Sequence, residues 1–157
     1  MKTVITYGTY DLLHQGHVHL FETAKSMGDY LIVAVSTDEF NKIKNKTSYH
    51  NYDVRRKMVE ALKCVDLVIP EKAWEQKLDD IKKYNVDTVV MGDDWAGRKE
   101  FESLKEYCNV EYIKKIDNMS TSRIKKEIKE DRPISTIKEI SVNPINSDNI
   151  EQINNVS

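Results

Sequence analysis

Short β-branched runs alternate with amphipathic helical segments through the first 130 residues, and this alternation constrains the fold more than any other feature. Strands separated by helices of about three turns are typical of an α/β domain whose parallel sheet is doubly wound. We therefore predict a single domain with a parallel sheet of about five strands. The strands are predicted at Thr3–Tyr7, Tyr30–Ser36, Val65–Ile69, Thr88–Met91 and Val110–Ile113. The helices are predicted from about Val18 to near Gly28, and at about 53–63, 74–84, 98–107 and 121–130.

Cap and turn residues predict where several of these elements end. Gly28 is expected to cap the first helix at its C-terminus, and Asp53 to cap the second at its N-terminus. Pro70 is expected to end the third strand. In a Rossmann-like, doubly wound sheet, ligands bind beyond the carboxyl ends of the strands. Functional side chains are therefore expected in the segments after Tyr7, Ser36, Met91 and Ile113.

The last 27 residues differ in composition from the rest of the chain. Residues 131–157 contain five asparagines and two of the three prolines, and they contain no aromatic residue. A segment with so few large apolar side chains cannot bury enough surface to offset the cost of ordering it. We predict a folded domain over residues 1–130 and a polar, flexible C-terminal tail over residues 131–157.

Charge and cysteine content exclude several classes of function. The chain has 24 Lys+Arg and 26 Asp+Glu, and residues 1–130 are electrically balanced, so no basic field would hold a nucleic acid. The longest apolar run, Tyr30 to Val35, is far shorter than the roughly 20 residues of a membrane span, so membrane insertion is not expected. Cys64 and Cys108 have no metal-type spacing and are expected to be reduced thiols of a cytoplasmic protein.

The segment that follows the first strand carries the clearest chemistry. His14 and His17 lie three residues apart at the start of a helix, so their rings are expected on one face, with Gly16 leaving the backbone open between them. A helix N-terminus adds unpaired N–H groups, and together these features suit a phosphate. A surface pair of histidines is the alternative. No metal site is predicted, because zinc would need a third ligand and His19 lies on another face.

Five stretches of the chain resemble one known family. The run from Gly8 to His17, Gly-Thr-Tyr-Asp-x-x-His-x-Gly-His, resembles the first signature of the cytidylyltransferase family within the HxGH nucleotidyltransferases. Residues 116–122, Ile-Asp-Asn-Met-Ser-Thr-Ser, resemble its second signature, Arg-Thr-Glu-Gly-Ile-Ser-Thr. Residues 36–41, 68–77 and 91–95 are similar to the bacterial glycerol-3-phosphate cytidylyltransferases in particular. The resemblance covers residues 1–130, which would form the nucleotidyltransferase domain.

The resemblance implies a reaction and its partners. A phosphate oxygen of glycerol 3-phosphate would attack the α-phosphorus of CTP, giving CDP-glycerol and pyrophosphate for a teichoic-acid or capsule-type polymer. Such an in-line displacement needs positioning and charge neutralisation but no protein nucleophile. Mg²⁺ is expected with CTP, and a homodimer is expected.

The resemblance also assigns roles to individual residues. His14 and His17 would be catalytic, contacting the nucleotide phosphates. The acceptor would be bound by Lys44 and Lys77, which match family positions, and we add Arg55 because of its place on the predicted helix. The nucleotide-binding set would be Thr9, Tyr10, Asp11, His14, Gln15, Gly16, His17, Lys46, Lys63, Asp94, Lys115, Ile116, Asp117, Asn118, Met119, Ser120, Thr121 and Ser122.

The residues themselves give partial support for these roles. Lys42, Lys44 and Lys46 follow the second strand, and on an extended backbone their ammonium groups would point the same way, although such a run is often only solvated. Arg55 and Lys63 lie on the helix predicted at 53–63, at a spacing that places them on one face from which either could reach a phosphate.

The second signature departs from the family pattern. Lys115 stands where the family has Arg, Asp117 where it has Glu, and Asn118 where it has Gly, while Lys63 also replaces a common Arg. Lysine does not reproduce the planar, bidentate fork of arginine.

Three other functions remain open. The acceptor could be phosphoethanolamine or phosphocholine, whose amine groups favour an acidic or aromatic cage rather than lysines. A non-catalytic nucleotide-binding regulator is the alternative from another class.

Overall fold

A five-stranded parallel sheet forms the centre of the protein in the computed structural model, which describes residues 1–115 together with 126, 128 and 129. Its order is β3-β2-β1-β4-β5, and every paired strand runs parallel to its neighbour. This confirms the predicted α/β class and the predicted strand number. The strands are β1 (Thr3–Gly8), β2 (Tyr30–Ser36), β3 (Leu67–Glu71), β4 (Thr88–Gly92) and β5 (Asn109–Ile113).

Helices cover the sheet on both faces. On one face, Phe21 and Val59 pack in a single core with Val4 and Leu31 of the strands. On the other face, Ile81 and Phe101 join the core that contains strand residues such as Ile5 and Val89. The helices are α1 (Gln15–Ser26), α2 (Asp38–Ile43), α3 (Tyr52–Glu60), α4 (Gln76–Tyr84) and α5 (Lys99–Glu102), with 3₁₀ turns at Asp93–Trp95 and Ser103–Glu106.

The strand order also predicts where a ligand binds. The chain winds from β1 outward through β2 to β3, and then returns to the other side of β1 with β4 and β5. The order therefore reverses between β1 and β4. In open α/β sheets the crevice at such a reversal, beyond the carboxyl ends of the strands, is the usual ligand site.

Several predicted element boundaries were wrong. The helix α2 was not predicted, and the helix predicted at 98–107 is a single turn, α5, followed by a 3₁₀ turn. Asn51, and not Asp53, caps α3, because the Asn51 side chain accepts a hydrogen bond from the backbone N–H of Val54. Pro70 lies inside β3 rather than after it. This is tolerated because β3 is an edge strand, where a missing N–H costs no ladder hydrogen bond.

Gly28 has a packing role and does not cap α1. The cap is Met27, whose backbone is right-handed. A Cβ at position 28 would come within 2.7 Å of Val4 Cγ2 and 2.8 Å of the Lys2 carbonyl oxygen. The absence of a side chain therefore lets the end of α1 pack closely against the start of β1.

Residues 1–115 belong to one compact unit. The predicted tail over 131–157 lies outside the described residues, so its boundary remains a prediction. Of the helix predicted at 121–130, the structure describes Lys126, Ile128 and Lys129, each in helical conformation and exposed. Within the described part of the chain, no helix has the length and apolarity that a membrane crossing would require.

Candidate active site

His14 and His17 form the start of α1 and hold one another in place. His14 is the N-cap, and its Nδ1 accepts a hydrogen bond from the Gly16 backbone N–H at 3.0 Å. The backbone N–H of His14 in turn donates to His17 Nδ1 at 3.3 Å. The two rings are stacked, with their centroids 3.8 Å apart. This confirms that the two imidazoles share one face at a helix N-terminus.

These hydrogen bonds decide which ring nitrogen carries the proton. In each ring Nδ1 is an acceptor, so the neutral imidazole holds its proton on Nε2. Burial, and after it the nearby His14 and Lys115, lower the pKa of His17 to about 3. Burial and Lys115 also lower the pKa of His14. At neutral pH both rings are therefore uncharged and offer Nε2–H as a donor.

The loop between β1 and α1 is held in an uncommon conformation. Tyr10 and Leu12 have positive φ values, 53° and 48°. The Tyr10 ring packs edge-on against His17 and Phe21, and its hydroxyl lies 3.1 Å from the Thr6 hydroxyl. A Cβ on Gly8 would come within 2.7 Å of that ring. Gly8 therefore permits the close packing that brings the Tyr10 ring against His17.

Asp11 and Arg55 tie this loop to the rest of the site. Asp11 is buried and accepts hydrogen bonds from the backbone N–H groups of Tyr49 and His50. Arg55 is 1% exposed and donates to the carbonyl oxygens of Thr9, Ser36 and His50 and to the Asp38 carboxylate. Most of its N–H groups are thus directed at the protein itself. This geometry favours a positioning role for Arg55 over the predicted contact with the acceptor.

Two buried lysines share one carboxylate at the carboxyl ends of β2 and β3. Lys77 Nζ donates to Glu71 Oε2 at 3.0 Å, and Lys44 Nζ lies 3.8 Å from Glu71 Oε1. The Ser36 hydroxyl donates to Glu71 Oε1 at 2.7 Å and accepts from Lys44 Nζ at 2.9 Å. The side chains of both lysines are less than a tenth exposed. We call Ser36, Lys44, Glu71 and Lys77 the lysine pocket.

Aromatic rings surround the two ammonium groups. Lys77 Nζ lies 4.8 Å from the ring centres of Tyr7 and Trp74, and Lys44 Nζ lies 4.6 Å from that of Phe40. Burial lowers the pKa of Lys44 to about 8, although Glu71 acts in the opposite direction. An aromatic cage is therefore present, which the sequence did not indicate. It is filled by the protein's own cations, so it does not suit an amine head group.

The three lysines after β2 do not point the same way, so that prediction was wrong. Lys42 lies in α2, Lys44 caps it, and Asn45 has a positive φ of 57° that turns the chain. As a result Lys44 points inward to the lysine pocket, while Lys42 and Lys46 are exposed. Of the three, Lys44 is the one whose burial indicates a binding role.

Asp94 and Lys115 meet at the carboxyl ends of β4 and β5. Lys115 Nζ donates to Asp94 Oδ2 at 3.0 Å, with both side chains about half exposed. Lys115 also contributes to the lowered pKa values of both histidines, so its charge lies close to them. The structure therefore brings Asp94 and Lys115, predicted from distant parts of the sequence, to the same edge as the imidazoles.

Other predicted site residues are less well supported. Lys63 lies beyond the end of α3, not on it, in the turn that leads to the start of β3. That turn is at the amino ends of the strands, opposite the histidines, so the structure does not bring Lys63 to this group. Gln15 is exposed at the first position of α1. Outside the described residues lie Ile116, Asp117, Asn118, Met119, Ser120, Thr121 and Ser122.

Among the residues that the structure describes, no three His, Cys, Asp or Glu side chains are grouped so that they could hold a metal ion. The Asp11 carboxylate is engaged by two backbone N–H groups, and Asp94 is paired with Lys115. These residues do not fit a Mg²⁺ site built by the protein alone.

Sequence reasoning missed several polar residues of this region. Glu71 lies beyond the strand predicted at Val65–Ile69 but ends β3 in the structure, and nothing local in the sequence indicated that it joins two lysines. Asp80 was also missed: it accepts hydrogen bonds from Tyr7 and Gln76, and burial raises its pKa. Asn41 is buried, and its Oδ1 accepts from Thr9, while its Nδ2 donates to no group in the described part of the chain.

Comparison with known proteins defines the class to which this site belongs. A family model described as cytidylyltransferase-like matches residues 5–152. Together with the fold and the paired imidazoles, this match shows that the chain belongs to the cytidylyltransferase-like family.

Curated relatives are similar over most of their length. The chain is 59% identical over 128 residues to the glycerol-3-phosphate cytidylyltransferase of Staphylococcus aureus, covering 82% of this chain and 96% of that protein. It is 56% identical over 128 residues to the enzyme of the same name from Bacillus subtilis, covering 82% and 98%. The ethanolamine-phosphate cytidylyltransferase of Mus musculus is 35% identical over 119 residues, covering 73% of this chain and 30% of that protein.

Solved structures support the fold. The lipopolysaccharide core biosynthesis protein from Thermoplasma volcanium has a TM-score of 0.66 at 24% identity, covering 74% of this chain and 99% of that one. A nicotinate-nucleotide adenylyltransferase from Vibrio parahaemolyticus, described as putative in its own name, has a TM-score of 0.54 at 19% identity, covering 87% and 92%. At these identities the likeness concerns the fold alone.

Proposed function

We propose that this protein transfers the cytidylyl group of CTP to glycerol 3-phosphate, releasing pyrophosphate and forming CDP-glycerol. The observation that carries the proposal is the placement of a neutral His14–His17 pair and a buried pair of lysines at one edge of the sheet. The identity of 56–59% to glycerol-3-phosphate cytidylyltransferases supports the same reaction.

The reaction requires the protein to stabilise negative charge and does not require it to supply a nucleophile. The acceptor is a phosphate monoester, which is largely dianionic at neutral pH and can attack the α-phosphorus of CTP without a general base. An oxygen–phosphorus bond forms to the acceptor, and the bond between the α-phosphorus and the oxygen bridging to the β-phosphate breaks. Negative charge grows on the oxygens around the α-phosphorus, where the Nε2–H groups of His14 and His17 would donate.

Neutral imidazoles suit this role for a physical reason. Their Nδ1 atoms are already bound to the backbone, so the Nε2–H groups need no reorganisation when charge develops. The first turn of α1 adds backbone N–H groups at the positive end of the helix dipole. Lys115 would place a further positive charge near the triphosphate.

The lysine pocket would receive the phosphate of the acceptor. The two ammonium groups carry two positive charges and their carboxylate partner, Glu71, carries one negative charge. A net positive charge therefore remains to attract a dianion. The cage around them holds lysines already, which argues against the amine-bearing acceptors phosphoethanolamine and phosphocholine.

The proposal is tested by measuring pyrophosphate release with CTP and each of three acceptors, glycerol 3-phosphate, phosphoethanolamine and phosphocholine. We expect the highest kcat/KM with glycerol 3-phosphate. Binding of CTP without pyrophosphate release for any acceptor would instead support a non-catalytic nucleotide-binding regulator.

Further proposals concern the setting of this reaction. Mg²⁺ would be carried by the oxygens of CTP, since the described residues do not form a site for it.

We also propose that the protein is cytoplasmic and forms a homodimer. The exposed apolar side chains of Val54 and Met58, which lie one turn apart on α3, support the dimer. The product would supply glycerol phosphate units to a teichoic-acid or capsule-type polymer. Sedimentation velocity of the purified protein tests the dimer.

A further inference from the structure

Glu71 occupies an unusual position for a carboxylate beside a phosphate-binding site. It is the last residue of β3 and is 3% exposed. Both of its oxygens are engaged, Oε1 by the Ser36 hydroxyl at 2.7 Å and Oε2 by Lys77 Nζ at 3.0 Å. Lys44 Nζ lies 3.8 Å from Oε1. The ammonium groups that would bind the acceptor phosphate are thus already paired with an anion.

Glu71 is the carboxylate in direct contact with these two ammonium groups. A second carboxyl, Asp80, accepts its hydrogen bonds from Tyr7 and Gln76, and among the described residues it forms no ion pair with either lysine. A buried ammonium group without a counter-ion is costly, because its solvation by water is lost. In the absence of acceptor, Glu71 therefore stabilises two cations that would otherwise be unfavourable in this position.

We propose that Glu71 is an internal counter-ion that competes with the acceptor phosphate for Lys44 and Lys77. The inference rests on the proposed function, because it takes these lysines as the acceptor site. Glu71 keeps the site folded and ordered when empty, and its negative charge lowers the affinity for any bound phosphate.

The competition also affects how readily the product is released. The acceptor phosphate is a monoester carrying close to two negative charges, whereas the same phosphate in the product is bridged on both sides and carries one. A dianion attracts the two ammonium groups more strongly than Glu71 does alone, but a monoanion gains less over the same competitor. Glu71 therefore weakens the binding of both ligands and leaves the singly charged product with little net attraction, which favours its release.

The variant Glu71→Gln tests this role, because it keeps the side-chain shape and removes the charge. We expect calorimetric titration to show that glycerol 3-phosphate binds the variant about tenfold more tightly than it binds the unaltered protein. The inhibition constant of CDP-glycerol should fall as well, and the KM for CTP should not change. A residue with a merely structural role would do the reverse and weaken acceptor binding when removed.

A matched control and a second variant keep the test decisive. Glu75→Gln removes the same charge from an exposed position one turn away in sequence, and its affinity for glycerol 3-phosphate should stay within about twofold of the unaltered protein. If Glu71→Gln does not fold, Glu71→Asp keeps the charge but withdraws it from Lys77. The Glu71→Asp variant should then bind glycerol 3-phosphate more tightly than the unaltered protein does.

Two measurements distinguish failure of the proposed function from failure of the counter-ion role of Glu71. Pyrophosphate release by the unaltered protein from CTP and glycerol 3-phosphate is measured in parallel, and its absence would overturn the proposed function. If the unaltered protein is active but Glu71→Gln, or Glu71→Asp in its place, binds glycerol 3-phosphate with equal or lower affinity, the counter-ion role alone is overturned.

Discussion

Replacing His17 by glutamine separates the structural role of its ring from its proposed catalytic role. Nδ1 of His17 accepts the backbone N–H of His14, which is the reciprocal bond of a capping box, while Nε2–H makes no hydrogen bond to any residue that the structure describes. Glutamine is a common residue at this third position of a helix because its side chain reaches back to the same N–H. His17→Gln therefore keeps the cap of α1 and removes the imidazole donor.

The expected magnitudes follow from these contacts. Loss of one preorganised donor to a developing oxyanion lowers kcat by about a hundredfold to a thousandfold, or roughly 3–4 kcal/mol. The 3.3 Å capping bond and the edge-on contact with Tyr10 are together worth about 1–2 kcal/mol of stability. His17→Ala loses both, so its thermal midpoint should fall by several degrees, while that of His17→Gln should fall less.

The assay is pyrophosphate release at saturating CTP and glycerol 3-phosphate, combined with thermal unfolding of each variant. His19→Gln provides the control, because it makes the same chemical change at an exposed position of the same helix. Its kcat and midpoint should match those of the unaltered protein. A kcat for His17→Gln close to that of the unaltered protein would refute the assignment of Nε2–H as a catalytic donor.

Three further perturbations probe other parts of the site. Gly8→Ala would place a Cβ 2.7 Å from the buried Tyr10 ring, so unfolding measurements should show a loss of about 1–3 kcal/mol together with lower kcat. Lys115→Ala should raise the KM for CTP by about tenfold or more through a lost charged contact, whereas Lys114→Ala should not, and equal values would remove Lys115 from the site. Because Lys44 is charged only below its pKa of about 8, kcat/KM for glycerol 3-phosphate should fall as the pH rises above about 8, and a flat profile to pH 9.5 would contradict this.

Local chemistry explains why much of the fold could be predicted. The strands β1, β2 and β4 are short runs rich in β-branched residues and are buried on both faces, and such runs are recognisable without knowledge of their neighbours. The helix α2 was missed because its six residues are too few to show a period. It forms because the Thr37 side chain caps it and Phe40 is buried beneath it.

The same distinction between local and long-range interactions applies to the candidate site. The amino-acid sequence by itself determined the position of the imidazole pair, because His14 and His17 interact through bonds within four consecutive residues and the first helix turn. It also determined that this turn follows a strand of a parallel sheet. These are short-range relations, and they depend little on the rest of the chain.

Only the tertiary structure decided which charged side chains point inward. The Lys44 side chain is 7% exposed whereas Lys46 is exposed, although they are two residues apart, because Ser36 and Glu71 lie where the Lys44 side chain reaches. Burial of a cation is favourable only where another segment supplies its partners. In this protein the partner, Glu71, comes from β3, far along the chain from Lys44 at the end of α2, and no local pattern in the sequence indicates that pairing.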